Sequence, residues 1–83
     1  MYVRIEGVWG LYDVQIDTLN DDHASVAAAT LSAGTEQYTV TASAKREPGD
    51  PRNTAIGEQL AVGRALEKLG HQLQHAAWSR TAK

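Results

Sequence analysis

The stretch R-E-P-G-D-P-R-N-T-A-I-G-E-Q-L-A-V-G-R-A-L-E-K-L-G-H-Q-L-Q-H-A-A, residues 46–77, decides the fold. Residues 47–53 read as a stiff hinge, because Pro48 and Pro51 fix φ, Gly49 permits an unusual turn angle, and Asp50 or Asn53 can cap a helix. Pro51 suits the first helical position if Asp50 is the cap. Across residues 54–77 the apolar period is helical, with Val62, Leu66, Leu69, Leu73, Ala76 and Ala77 on one stripe. Gly63 and Gly70 border that stripe. A glycine inside a helix costs roughly 1 kcal/mol against alanine, so the pair predicts that this side of the helix lies close against small residues of a sheet. Leu60 and Trp78 fall outside the stripe, on the side held by Arg64, Glu67, His71 and His75. Residues 78–83 are expected to fray as a tail.

An amphipathic helix needs a surface to cover, and the residues upstream supply one. Residues 11–46 read as an antiparallel sheet. Tyr12, Val14 and Ile16 alternate with Asp13, Gln15 and Asp17, as expected of a strand with one buried face. Thr18 to His23 is turn chemistry, since Asn20, Asp21 and Asp22 can bond their own backbone. Ala24 to Ser32 is low in polarity on both faces and reads as a middle strand covered on both sides, its shortness, Val26 and Thr30 favouring strand over helix. Ala33 and Gly34 form the next turn. Thr35 to Arg46 resumes the alternation, with Tyr38, Val40, Ala42 and Ala44 on one face and Thr39, Thr41, Ser43 and Lys45 on the other. Residues 1–10 form either an arm or an irregular first strand, because Gly7 and Gly10 interrupt the weak alternation of Tyr2 to Glu6. The fold class is α+β: a three-stranded antiparallel sheet, or four segments if residues 1–10 join it, then one long C-terminal helix packed on one face.

At 83 residues the chain makes a single domain near the size where burial barely offsets conformational entropy. Three Tyr, two Trp and no Phe leave a thin aliphatic core, which favours self-association as a source of further buried area. The absence of cysteine removes disulfides and cysteine zinc sites and fits a reducing cytoplasm. No apolar run is long enough for a membrane span and no export signal opens the sequence. The net charge of −2 is spread with acids and bases interleaved, unlike the concentrated basic face of a nucleic-acid binder.

The hinge and helix resemble a group of small actinobacterial and actinobacteriophage proteins of unknown function, described as having a double-stranded-RNA-binding-domain-like (dsRBD-like) fold. The shared pattern is a strand ending in Arg, then Asn-Pro-x-Asp, a variable turn, Ile-Gly-Asp/Glu-Glu-Leu and Arg-Ala-Leu-x-x-Leu. Pro48, Asp50, Ile56, Gly57, Glu58, Leu60, Arg64, Ala65, Leu66 and Leu69 match it, while Glu47 stands for the usual Asn and Gln59 for the usual Glu. The resemblance implies three antiparallel strands followed by one helix, often as a homodimer. It does not carry over RNA binding. Genuine domains of that type place a lysine cluster at the start of this helix to grip phosphates. Here the helix opens with Thr54 to Glu58, and its first cation is Arg64.

Two classes of function follow. The first is a small non-enzymatic interaction module, homodimeric or bound to a host protein if phage-encoded. Its contacts would be Leu60 and Trp78 on the helix, or Val26, Thr39 and Thr41 on the open sheet face. The second is binding of structured RNA or the ribosome through Lys45, Arg46, Arg52, Arg64 and Lys68. Against it, Arg46 or Arg64 can pair with Glu47, Asp50 or Glu58 to brace the hinge. Glu67, His71 and His75 recur at every fourth residue along one helical face, with His23 distant in a turn. A single straight row is not a metal cage, so no metal or other cofactor is expected. No glycine-framed nucleophile or clustered acid pair appears, so no enzymatic activity is expected.

Overall fold

A computed structural model describes residues 1–21, 23–45 and 54–81. The elements are β1 (Tyr2–Glu6), β2 (Leu11–Asn20), β3 (Ala24–Ala33), β4 (Glu36–Lys45) and α1 (Thr54–Thr81). The strands form one antiparallel sheet in the order β1-β2-β3-β4, and α1 packs across one face. The α+β architecture read from the sequence is the observed one, with residues 1–10 contributing a fourth strand. Residues 46–53, which hold the proline hinge and with it Pro48, Asp50 and Pro51, lie outside the described residues.

Local chemistry explains the turns. Asp21 Oδ1 accepts the N–H groups of His23 and Ala24, both at 2.7 Å, which reverses the chain between β2 and β3. Gly34 turns β3 into β4 with φ of 65°, a left-handed angle that favours glycine. Two strand ends differ from the expected ones. Strand β2 continues through Thr18 to Asn20, and β3 includes Ala33, so the turn falls on Gly34 and Thr35. The polar residues Thr18 and Asn20 remain in the strand because their side chains bond Glu58 of α1.

The core is a graded wedge. Along α1 the buried row is Gly57, Ala61, Ala65 and Leu69, with Leu73 partly buried beyond it. Along the helix-facing side of β4 the series Ala44, Ala42, Val40 and Tyr38 also grows from small to large. The helix runs antiparallel to β4, so small meets small at its start and large meets large toward its end. Ile16, Ala27, Ala29 and Leu31 complete the core from β2 and β3. Ser25, fully buried, sits under Gly57.

This packing corrects two expectations about α1. The close side is not marked by Gly63 and Gly70, since a Cβ at either would meet nothing within 4 Å. It is marked by Gly57, where a Cβ would lie 2.8 Å from Ser25 Oγ. The buried row is also displaced from the apolar stripe: Leu66, expected on that stripe, is 47% exposed. The two small alanines allow a closer and more extensive contact than the leucine side, so the helix rolls onto them. The helix is also longer than expected, reaching Thr81 rather than fraying after Ala77. Its 28 residues span about 42 Å against about 33 Å for the ten-residue strands, and Arg80 in its last turn still reaches Glu36 at the start of β4.

A further expectation fails at β3. Its second face is uncovered: Val26 is 38% exposed and Ala28 is also exposed, because the described elements place a helix on one side only. Low polarity here reflects the small residues of an open face rather than burial on both sides.

The glycine assignment is checked by urea unfolding. Gly63→Ala and Gly70→Ala should each raise stability by about 0.5–1 kcal/mol through helix propensity. Gly57→Ala should lower it, and adding Ser25→Ala should restore it by removing the colliding hydroxyl.

Candidate interaction surfaces

The helix lies over β3 and β4 and reaches β2 only lightly, while β1 packs on β2 alone among the elements. The helix flank turned toward β2 carries Val62 and Leu73, partly buried, with Leu66 on the same flank by helical spacing. The sheet floor beside it continues from Tyr12 and Val14 onto Val3 and Ile5, which pair with Val14 and Tyr12 and so share their face. Val3 is 47% and Ile5 53% exposed. The result is a continuous apolar trough between α1 and the β1 side of the sheet. At one end it opens into a cleft of about 480 Å³ whose lining mixes Met1, Ile16, Ala55 and Val62 with the polar Asp17, Thr18, Glu58 and Gln59. At the other it reaches Trp9, Tyr12, Leu73 and Ala77.

Polar contacts fix both ends of α1. Near its start, the Glu58 carboxylate accepts Thr18 Oγ1 at 2.6 Å and Asn20 Nδ2 at 3.3 Å, and these bonds, Thr18 first, hold Glu58 below its ordinary carboxylate range. Near its end, Arg80 pairs with Glu36, which also accepts the Tyr38 hydroxyl. Tyr38 first and Arg80 second hold Glu36 below the ordinary range. Between these, Arg64 Nη1 donates to the Ser43 carbonyl at 2.8 Å and Lys68 Nζ to the Thr41 carbonyl at 2.7 Å. Two cations of the helix therefore drape over the backbone of β4, the strand at one border of the sheet.

The candidate contact residues fall on separate surfaces. Leu60 is 49% and Trp78 73% exposed on the helix side turned away from the sheet. Val26, Thr39 and Thr41 share the open sheet face, where Thr39 Oγ1 lies 3.4 Å from Thr30 Oγ1 on the adjacent strand. Of the five cations considered for RNA, Arg64 and Lys68 bind β4 carbonyls, Lys45 is exposed at the end of β4, and Arg46 and Arg52 lie outside the described residues. The Glu58 lock places a carboxylate at the sheet-facing start of the helix, where a phosphate grip would need cations. Glu67, His71 and His75 stand in line along α1, and among the described residues no three His, Asp or Glu groups converge on a metal-sized point. No described helix is long and apolar enough to cross a membrane.

The Rv2632c-like family model matches residues 11–82. The chain belongs to the Rv2632c-like family. This is a small family of unknown function, as the resemblance of the hinge and helix implied. The Rv2632c-like match spans β2, β3, β4 and α1 but begins at Leu11, so β1 and its exposed apolar residues stand outside it. No curated protein and no solved structure matches the chain.

Sequence reading missed the trough because two of its walls are weakly signalled. The alternation of Val3 and Ile5 with Tyr2, Arg4 and Glu6 is only five residues long, and the trough's helix wall exists only because α1 rolls toward its alanines.

The Glu58 lock sets a pH dependence. Because the folded carboxyl titrates below its unfolded value of about 4.5, its stabilising effect is complete above that value and disappears as pH falls through the folded value. Glu58→Gln should lower the melting temperature at neutral pH, and the gap from the unsubstituted protein should narrow in melts taken at successively lower pH below 4.5.

Proposed function

We propose that this protein is a small cytoplasmic, non-enzymatic interaction module that works as a homodimer, with a host protein as a further partner if it is phage-encoded, as its resemblance implies. The observation that carries this reading is the uncovered apolar trough. Val3, Ile5 and Leu66 are each about half exposed along one continuous surface whose remaining walls belong to the core. A thin core of alanines and a few larger aliphatic residues leaves such a protein with much to gain from burying that surface against another chain. The cysteine-free sequence is compatible with the reducing cytoplasm.

Binding to RNA is the less favoured class. Two of the cations it would use are engaged by the protein's own backbone, and Glu58 occupies the helix start. Both readings meet in one pair of measurements. Sedimentation equilibrium from micromolar to millimolar chain should show a dimer, and a gel shift with duplex RNA at low salt should show no complex. A monomer throughout removes the homodimer, and a salt-sensitive shift of the RNA replaces the protein-binding reading with the nucleic-acid one.

A further inference from the structure

The two borders of the sheet are treated differently. At β4, Arg64 and Lys68 cover the backbone with donors aimed at the Ser43 and Thr41 carbonyls, two residues apart on the same side of the strand. Long cations laid over an edge are a recognised means of blocking strand addition. At β1 no described element lies beyond the strand. Its hydrogen bonding identifies which groups stay open. Met1 and Ile16 exchange both backbone bonds, at 2.9 and 2.8 Å, and Gly7 N–H donates to Gly10 at 2.8 Å. With the register Tyr2↔Gln15 to Glu6↔Leu11, these bonds mark the odd-numbered residues as the ones directed at β2. The N–H and C=O of Tyr2, Arg4 and Glu6 therefore point outward.

We propose that β1 pairs antiparallel with β1 of a second copy, with the twofold axis at Arg4, joining the two sheets into one continuous eight-stranded sheet. This rests on the homodimer reading above and specifies its seam. Symmetry and pleat together restrict the register, because a twofold axis normal to the sheet requires paired residues to share a face. Val3 can oppose Ile5 of the second copy but not Arg4. Among the allowed registers, the one centred on Arg4 satisfies every outward group of β1: Tyr2 exchanges bonds with Glu6 of the other copy, and Arg4 with its own equivalent. A shift of the axis to Val3 or to Ile5 leaves Glu6 or Tyr2 unpaired.

The apolar side chains agree with this register, and the opposed Arg4 pair is offset by neighbouring acids. On the helix side Val3 meets Ile5 of the second copy as a close non-hydrogen-bonded pair. On the other side the two Arg4 side chains face each other, each already bound to Asp13 at 2.9 Å, with Glu6 of the other copy on the diagonal. Val8 and Trp9, 90% and 97% exposed in the β1–β2 turn, come beside the Met1 end of the second copy. The paired sheets bring the two troughs together as one floor flanked by two helices. With α1 centred between β3 and β4, strand spacing places the helix axes roughly 29 Å apart. Neither copy alone has more than one wall of that cleft.

The chain has no cysteine, so single cysteines report the seam without background. Arg4→Cys should form a covalent dimer under mild oxidation of dilute protein, because directly opposed hydrogen-bonded residues have Cα atoms about 5.5 Å apart, within disulfide reach. Thr41→Cys at the covered border should not. Arg4→Pro, whose lost N–H is not used within the monomer, should keep the far-ultraviolet spectrum of the fold and abolish the dimer in sedimentation. A dimer by sedimentation without the Arg4→Cys link, or one that survives Arg4→Pro, overturns this seam and leaves the homodimer reading standing. A monomeric unsubstituted protein overturns both.

Discussion

The packing depends on the place where the helix comes closest to the sheet, at Gly57 over Ser25. No side chain larger than hydrogen fits there without displacing the buried serine hydroxyl. That contact sets the height of α1 at its start, and the small-to-large series on helix and strand sets the height along the rest. Once Gly57, Ala61 and Ala65 are seated, the rotation of the helix about its axis is settled as well. Leu66 and the outer side of Val62 then have no sheet beneath them except the floor toward β1. The exposed trough is thus a direct product of the closest contact in the core, not an independent feature of the surface.

Polar groups follow the same division. On the β4 flank of the helix, long cations reach the sheet backbone, and on the β2 flank near the helix start the shorter Glu58 reaches hydroxyl and amide groups of β2. These bonds are at the surface, where each contributes little to stability. Their effect is geometric. They hold the two flanks of α1 in place, one covering a border and the other keeping the last residues of β2 within the strand. Arg64 and Lys68, which in the bare sequence could be assembled into a phosphate-binding patch, are instead engaged along this frame.

Much of the architecture was legible in the sequence because periodicity reports burial directly. The alternation in Leu11 to Asp17 and Thr35 to Lys45 placed Tyr12, Val14, Ile16, Tyr38, Val40, Ala42 and Ala44 on the covered face, where the structure has them. The helix itself was equally clear. Its rotation was not, because a helical wheel weights leucine above alanine, whereas the sheet selects the side that approaches closest. For the same reason Gly63 and Gly70 misled: a glycine's freedom to approach is evident in a sequence, but the neighbour it approaches is not. The alanine-rich β3 was read as covered on both faces because small apolar residues suit a buried strand and an open one alike. The candidate surface was least legible, since it requires knowing both the helix rotation and the pairing of five N-terminal residues.

The covered border at β4 also bears on what kinds of assembly this chain can enter. A sheet grows indefinitely, as in a fibril, only if each added unit presents a fresh edge. With Arg64 and Lys68 on the Ser43 and Thr41 carbonyls, the middle of the β4 margin is obstructed, whereas joining two copies through β1 consumes the open margin in both. The same pair of side chains that appears in the sequence as a fragment of a basic patch thus works against growth of the sheet beyond a pair of copies.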